Sequence, residues 1–317
     1  MNRRQDPLAI DTELPLRGTF HPVGFELQIA TNSQDVLDAA GESWSHNPSR
    51  VHPGEPLQFR ILVQDGGTLC GDTSHRAHGD LYSVVSDRDN FASLDLLSLR
   101  AAIFVSRATA RDHARLRWYF LESLAYMLLA QRHVVPVHAG CVARDGRAVL
   151  LCGPTQAGKS TLAYACARAG WTYVSDDAVF LIPGCERKVI GRHRHVRFRL
   201  DAPRLFPELE RFVSIERPNG KVSIEVPLTD LPGISSVTSA EAACAVILHR
   251  GMDSEPETTG SDELSAVLLR DMPSYGPLVN AMHEQAVANL ARVPAYRLHY
   301  QDLDAAVVHL ARLLEKS

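Results

Sequence analysis

The sequence lacks the closely spaced cysteines that bind metals or form redox pairs. None of its six cysteines lies in a Cys-x-x-Cys pair, and no cysteine–histidine spacing is typical of a zinc site. We therefore expect reduced thiols that act as small apolar side chains. The cysteines are Cys70, Cys141, Cys152, Cys166, Cys185 and Cys244.

The sequence also lacks a long apolar run and an excess of either charge. No uninterrupted apolar stretch reaches the roughly 18 residues that a bilayer span needs, and residues 1–16 lack the apolar segment of a signal peptide. The net charge is −4 and the isoelectric point is about 6.4, which provides no basic field for nucleic acid or an anionic membrane. These features predict a cytoplasmic protein with no nucleic-acid or membrane partner.

What is present is enough length and apolar content for two domains. Of the 317 residues, 45% are hydrophobic, and chains of this size usually divide into domains. We predict a small N-terminal α+β module at 1–107, a connecting helix at 108–132 and a C-terminal domain at 133–317. The first boundary is placed where an alternating apolar pattern gives way to a helical stripe, formed by Leu116, Phe120, Leu124 and Leu128.

In the N-terminal module, residues 1–20 have no clear periodicity and predict a loose lead-in. Alternating apolar residues predict half-buried strands at 24–31 and 56–67. Between them we expect a short helix, with Ser33 as its N-cap and Gly41 as its end.

The C-terminal domain begins with a pattern typical of an α/β fold. Residues 133–152 predict two strands around a turn at Asp145-Gly146, and the second strand is almost continuously apolar, as in strands buried on both faces. A helix ending at Gly170 and a further strand at 171–182 follow. Later apolar patterns predict strands at 241–250 and 294–300 and helices at about 276–291 and 302–316.

Between the second strand and the first helix lies a phosphate-binding sequence. Residues 153–160 match G-x-x-x-x-G-K-[ST], in which glycines let backbone N–H groups turn inward toward phosphate oxygens. The helix that follows presents its positive N-terminus to the same anion. Lys159 is predicted to reach the β- and γ-phosphates and Ser160 to coordinate Mg²⁺. The candidate nucleotide-binding residues are Gly153, Pro154, Thr155, Gln156, Ala157, Gly158, Lys159, Ser160 and Thr161.

Two adjacent carboxylates follow closely. Asp176 and Asp177 stand 16 and 17 residues after Ser160, at the end of the next strand. If that strand is parallel to the strand before the loop, its carboxyl end lies near the γ-phosphate. One carboxylate is then placed to hold Mg²⁺ and the other to accept a proton from an attacking hydroxyl, which predicts phosphoryl transfer.

The stretch VHAGCVARDGRAVLLCGPTQAGKSTLAYACARAGWTYVSDDAVFL resembles the catalytic core of HPr kinase/phosphorylase. That family has a histidine 15 residues before the first loop glycine, as His138 precedes Gly153, and an aspartate 17 residues after the loop serine, as Asp177 does. The loop departs from the usual family pattern, which has glycine where Gln156 stands and glutamate where Thr161 stands.

The resemblance implies a P-loop core of the HPr-kinase/PEP-carboxykinase type in the C-terminal domain. It implies Asp177 as catalytic base, His138 as its partner, and Lys159 and Ser160 on phosphate and metal; we assign Asp176 to the metal as well. It further implies ATP and Mg²⁺ as cofactors, a serine hydroxyl of a peptide or protein as acceptor, and an assembly of several copies. A small-metabolite kinase and a non-catalytic nucleotide sensor remain alternatives.

Four further residues are weaker candidates. Arg197 and Arg199 stand two apart and could neutralise a transferring phosphate, although exposed strand-edge charges would have the same pattern. Lys221 follows a turn and could reach the nucleotide or be an ordinary hairpin lysine. Asp271 has the pattern of a loop residue.

Overall fold

The computed structural model describes residues 12–45, 52–192, 195–218 and 220–317. These residues form two compact units: one runs to Arg132 and includes Arg217–Lys221, and the other comprises His133–Glu216 and Val222–Ser317. The predicted three-part division of the chain stays a prediction. No helix in the described ranges is long and apolar enough to cross a membrane.

The described part of the N-terminal unit is built on one seven-stranded mixed sheet. The sheet order is β1-β2-β3-β7-β6-β5-β4. Its central pairs β2–β3 and β3–β7 are parallel, and the remaining pairs are antiparallel. The strands are β1 (Leu16–Phe20), β2 (Leu27–Thr31), β3 (Leu57–Gln64), β4 (Ser74–His78), β5 (Leu81–Val85), β6 (Phe91–Asp95) and β7 (Arg100–Ser106).

Two local predictions for this unit were wrong. Residues 16–20 form strand β1 within the predicted lead-in, while residues 1–11 lie outside the described part of the chain. The helix α1 (Gln34–Trp44) begins after Ser33 but continues through Gly41. Its buried residues Val36 and Trp44 lie on both sides of this glycine, and their packing outweighs the roughly 1 kcal/mol that an interior glycine costs a helix.

The predicted connecting helix at 108–132 is helical but interrupted. It consists of short helices α2 (Arg107–Arg111) and α3 (His113–Leu116), a π-helical segment (Arg117–Leu121) and α4 (Glu122–Ala130). The break between the first two occurs at Asp112, whose carboxylate accepts a hydrogen bond from the backbone N–H of Arg115 and so caps the next helix.

The C-terminal unit contains, within the described residues, a ten-stranded mixed sheet and a three-stranded antiparallel sheet. In chain order the strands are β8 (Val135–Val137), β9 (Gly140–Arg144), β10 (Arg147–Cys152), β11 (Thr172–Ser175), β12 (Val179–Leu181), β13 (Lys188–Gly191), β14 (His195–Phe198), β15 (Ser214–Glu216), β16 (Val222–Pro227), β17 (Ser235–Ser236), β18 (Ser239–Arg250), β19 (Glu257–Thr259) and β20 (Ala295–Tyr300). The helices are α5 (Lys159–Arg168), α6 (Ser261–Leu269), α7 (Pro277–Leu290) and α8 (Leu303–Lys316).

The large sheet has the order β17-β11-β9-β10-β18-β13-β12-β8, and β20 pairs with β18 and β19. Strand β10 is at its centre, antiparallel to β9 and parallel to β18. Strand β9 lies between β10 and β11 and is antiparallel to both, so β10 and β11 run in the same direction. The carboxyl ends of β10, β11, β18 and β20 therefore lie at one edge of the sheet.

Helices cover both faces of this sheet, which explains the apolar run in β10. Successive side chains of a strand point to opposite faces. Val149 and Leu151 pack into a core that includes residues of α5 and α8. Leu150 and Cys152 pack into a second core that includes residues of α6 and α7.

The fold class is confirmed at the level of a mixed α/β protein with several sheets. The predicted strands at 241–250 and 294–300 correspond to β18 and β20, and the two predicted late helices correspond to α7 and α8. A core of the HPr-kinase/PEP-carboxykinase type stays a prediction.

Candidate active site

The site is built around the loop that joins β10 to α5. Its backbone takes left-handed conformations at Gly153, Gln156 and Gly158, with φ of 139°, 74° and 93°. Glycine adopts such angles freely, whereas glutamine does so at a cost of about 1 to 2 kcal/mol. A glycine at position 156 would remove this strain.

The N-terminus of α5 has no side-chain cap. The helix is preceded by Gly158, which contributes no side-chain hydrogen bond. Within the described residues, no backbone acceptor meets the N–H groups of residues 158–161. Such unpaired N–H groups and the helix dipole together favour a bound anion.

Lys159 is buried at this end of the helix, with only 6% of its surface exposed. Its Nζ donates hydrogen bonds to the carbonyl oxygens of Gly153 (2.8 Å) and Pro154 (3.2 Å). Burial lowers its pKa, while the negative charges of Asp177 and Asp271 act in the opposite direction. The ammonium group is therefore held under the loop and within electrostatic range of both carboxylates.

Asp176 and Asp177 lie in a bend between two strands. The predicted single strand at 171–182 was wrong, because β11 ends at Ser175 and β12 begins at Val179. The hydroxyl of Ser175 donates a 2.7 Å hydrogen bond to the carbonyl of Ala178 and so closes the bend. Strand β12 then pairs with β8 and β13, well away from β11 in the strand order.

His138 contacts Asp177 at this bend. The Nδ1 atom of His138 lies 3.2 Å from Oδ1 of Asp177. The contact follows from topology: His138 lies just before β9, and because β9 is antiparallel to β11, its beginning lies beside the end of β11. A Cβ at Gly140 would lie 3.4 Å from the carbonyl oxygen of Asp176, which shows how closely the two segments approach.

The two aspartates have opposite electrostatic environments. The hydrogen bond from His138 lowers the pKa of Asp177 to about 2, helped by the charges of His138, Arg197 and Lys159. About half of the Asp177 side chain is exposed. Burial instead raises the pKa of Asp176, whose Oδ2 accepts a 3.0 Å hydrogen bond from the backbone N–H of Arg197. Asp177 is thus the accessible carboxylate and Asp176 the buried one.

The weaker candidates are placed as follows. Arg197 lies in β14, and its Nε donates a 2.8 Å hydrogen bond to Glu225, so the guanidinium is already paired within the protein. Arg199 is exposed just after β14. Lys221 belongs to the N-terminal unit. Asp271, together with Arg270, lies within electrostatic range of Lys159, so the structure brings Asp271 to the site.

Sequence reasoning missed Arg250, Tyr300 and Arg270. Arg250 and Tyr300 are the last residues of the parallel pair β18 and β20 and lie side by side in register. Both strands were predicted from the sequence. The feature that could have identified these two residues is that each strand ends in a polar or aromatic residue. Arg270 follows α6, and no pattern in the sequence marks it.

The donor groups at the site fit Mg²⁺, which prefers oxygen ligands and is often held by one or two carboxylates together with substrate phosphates. The Ser160 hydroxyl and the bend carboxylates are such donors. In the described part of the chain, no three or more His, Cys, Asp or Glu side chains are grouped to hold a metal by themselves.

No family model and no curated protein matches this sequence. Among solved structures, the chain is similar to the HPr(Ser) kinase/phosphatase from Coxiella burnetii, with 15% sequence identity and a TM-score of 0.29. The match covers 57% of this chain and 99% of that chain. A likeness at this TM-score carries no argument about function, so the family resemblance stays a prediction.

Proposed function

We propose that this chain is an ATP- and Mg²⁺-dependent kinase that transfers the γ-phosphate to a serine-type hydroxyl of a peptide or protein. The observation that carries the proposal is the His138–Asp177 contact at the sheet edge where α5 begins. The uncapped helix N-terminus and Lys159 offer a place for an anion. Asp177 offers an exposed carboxylate within electrostatic range of Lys159.

In this proposal, the loop residues 153–161, except Pro154, which has no N–H group, bind the phosphates of ATP through backbone N–H groups. Lys159 exchanges its carbonyl partners for phosphate oxygens. Asp177 accepts the proton of the acceptor hydroxyl as its oxygen forms a bond to the γ-phosphorus. The bond between the γ-phosphorus and the bridging oxygen breaks, and ADP leaves with that electron pair. His138 holds the Asp177 carboxylate in position.

Ser160 and Asp176 are the proposed protein ligands of Mg²⁺. When bound, the metal would neutralise phosphate charge. Asp176 is buried, its Oδ2 accepts a hydrogen bond from the backbone N–H of Arg197, and Tyr173 also forms a hydrogen bond with its carboxylate. Mg²⁺ would therefore bind this carboxylate in competition with these partners. Measuring the Mg²⁺ concentration for half-maximal activity in Asp176→Asn and Asp177→Asn tests which carboxylate affects the metal.

The partner in this proposal is a peptide or protein that brings a serine to the exposed face of Asp177. A homo-oligomer and a cytoplasmic location also remain part of the proposal.

The deciding experiment measures transfer of labelled γ-phosphate from ATP to serine-containing peptides. We expect transfer by the wild type and a loss of about 100-fold or more in Asp177→Asn, because a positioned base contributes about 10² to 10⁴. Thermal unfolding of the variant controls for folding. An unchanged rate in Asp177→Asn would remove this residue as the base.

Two other outcomes would favour the alternatives. Transfer to small hydroxyl compounds and to no peptide would indicate a metabolite kinase. Tight ATP binding with no transfer to any acceptor would indicate a nucleotide sensor.

A further inference from the structure

An arginine lies against the loop on the side away from Asp177. The Arg250 guanidinium is stacked over the ring of Tyr300, with its Cζ 4.4 Å from the ring centroid. A Cβ placed on Gly158 would come within 2.5 Å of the Arg250 Nη2 atom. The guanidinium is thus packed against the residue that precedes Lys159.

Tyr300 fixes both the arginine and the loop. Its hydroxyl donates a 2.9 Å hydrogen bond to the carbonyl oxygen of Ala157, and its own surface is almost fully buried. Arg250 itself is exposed. The ring therefore provides a rigid support that keeps a flexible, exposed side chain beside the loop.

The Arg250 charge has no counterpart among the described residues. No hydrogen bond or ion pair involves its guanidinium within the described ranges; its contacts are the Tyr300 ring and Gly158. Other arginines of this unit differ, since Arg197 pairs with Glu225 and Arg168 with Glu208. A guanidinium carries five donors suited to phosphate oxygens, and those of Arg250 are available.

The position of Arg250 indicates which phosphate it would meet. Strands β11 and β18 lie on opposite sides of β10 in the sheet order, so Asp177 and Arg250 lie on opposite flanks of the loop. Under the proposed function, the γ-phosphate is at the Asp177 flank. The carboxyl ends of β10, β11, β18 and β20 all lie at this edge, where ligands of open α/β sheets bind. A nucleotide whose γ-phosphate is at the Asp177 flank therefore has room for its other phosphates toward the ends of β18 and β20.

Resting on the proposed function, we propose that Arg250 is a phosphate-binding residue that holds the α-phosphate of the nucleoside triphosphate on the flank opposite Asp177. Tyr300 acts as its positioning residue.

Calorimetric titration of the full chain with Mg²⁺ and either ATP or inorganic pyrophosphate tests this assignment. We expect Arg250→Ala to weaken ATP binding by about 10-fold to 100-fold, the usual worth of a charge-assisted hydrogen bond, and Arg250→Lys to recover part of the loss. Pyrophosphate has only two phosphates, which can occupy the β- and γ-phosphate positions of the loop without reaching Arg250. It should therefore bind both variants nearly as it binds wild type. ATP affinity should also depend less steeply on salt in Arg250→Ala.

The matched control is Arg168→Ala, which also removes an arginine stacked near an aromatic ring, Phe206, but at the other end of α5. It should leave ATP affinity unchanged. Equal losses for ATP and pyrophosphate in Arg250→Ala would mean that the arginine only shapes the loop, and would overturn the assignment. An unchanged ATP affinity in Arg250→Ala would also overturn it. If wild type binds neither ligand, the proposed function fails, and this inference fails with it.

Discussion

The Nδ1 atom of His138 lies 3.2 Å from Oδ1 of Asp177, and this contact is the main reason that the pKa of Asp177 falls to about 2. Arg197 and Lys159 contribute smaller electrostatic effects in the same direction. The pair joins the start of β9 to the end of β11, so the contact that lowers the pKa of the accessible carboxylate also links two segments distant in the sequence.

The first prediction concerns that pKa. His138→Ala should raise the pKa of Asp177 toward the ordinary aspartate value of about 4, because its largest stabilising partner is removed. Titration of the aspartate carboxyl signals by NMR measures the change, and Asp177→Asn identifies the signal.

The lowered pKa of Asp177 also affects stability. A carboxyl group with a lowered folded-state pKa contributes stability above its unfolded pKa and loses it as pH falls toward 2. His138→Ala should therefore show a smaller loss of stability between about pH 4 and pH 2. An Asp177 pKa that stays near 2 in the variant would show that Arg197 and Lys159 are sufficient.

The second prediction concerns Asp176, whose pKa is shifted in the opposite direction from that of Asp177. Burial raises its pKa, so its contribution to folding is most favourable at low pH and is lost as pH rises through the folded-state pKa. Asp176→Asn removes this titration. We expect the variant to gain stability relative to wild type as pH rises from about 4 to 7, measured as the free energy of unfolding in urea.

Asp176→Ala provides the matched comparison. In the wild type, the backbone N–H of Arg197 donates a 3.0 Å hydrogen bond to Asp176. The alanine variant removes this acceptor. A donor left unpaired in the interior costs about 1 to 3 kcal/mol, and we expect the lower part of this range because the Arg197 N–H is only partly buried. Asparagine retains a carbonyl oxygen as acceptor. Equal stability of the alanine and asparagine variants at pH 5 would contradict this account.

Local patterns predicted the parts of the site that depend on local backbone conformation. The turn at Asp145-Gly146 has φ of 52° and 78°, as its residue types indicate, and the helix after the loop begins at Lys159 as predicted. The break at Asp176 was not predictable from the apolar run around it. That run continues across 171–182 because β12 is also buried, but in another part of the sheet.

Two contacts of the site depend on pairing between strands that are distant in the sequence, and local patterns did not predict them. Arg250 and Tyr300 are 50 positions apart, and only the parallel register of β18 and β20 brings them together beside the loop. The same holds for His138 and Asp177, whose contact requires β9 to lie between β10 and β11. Neither arrangement is encoded in a short motif.

The third prediction concerns thiol reactivity. Cys185 is exposed, and the other five cysteines, all within the described ranges, are buried. Burial raises the pKa of Cys152 to about 12 and that of Cys70 and Cys244 to about 11, which keeps these groups in the unreactive thiol form. A disulfide reagent should react rapidly with one thiol per native chain and with six after denaturation. Cys185→Ser should abolish the fast phase, and a second fast thiol in that variant would contradict the prediction.

The fourth prediction compares two glycines with similar backbone angles. Gly158 has φ of 93° and Gly170 has φ of 87°, so alanine at either position incurs the left-handed penalty of about 1 to 2 kcal/mol. Only at Gly158 would the added Cβ also collide with Arg250 and the Tyr300 hydroxyl, whereas nothing lies within 4 Å of the Cβ position at Gly170. Gly158→Ala should therefore lower the free energy of unfolding more than Gly170→Ala does. Under the proposed function, it alone should weaken ATP binding, because Arg250, Tyr300 or the loop must shift to make room. Chemical unfolding and calorimetric titration of both variants measure the two effects. If both variants lose the same stability and bind ATP as wild type does, the close packing of Arg250 and Tyr300 against the loop is absent in solution.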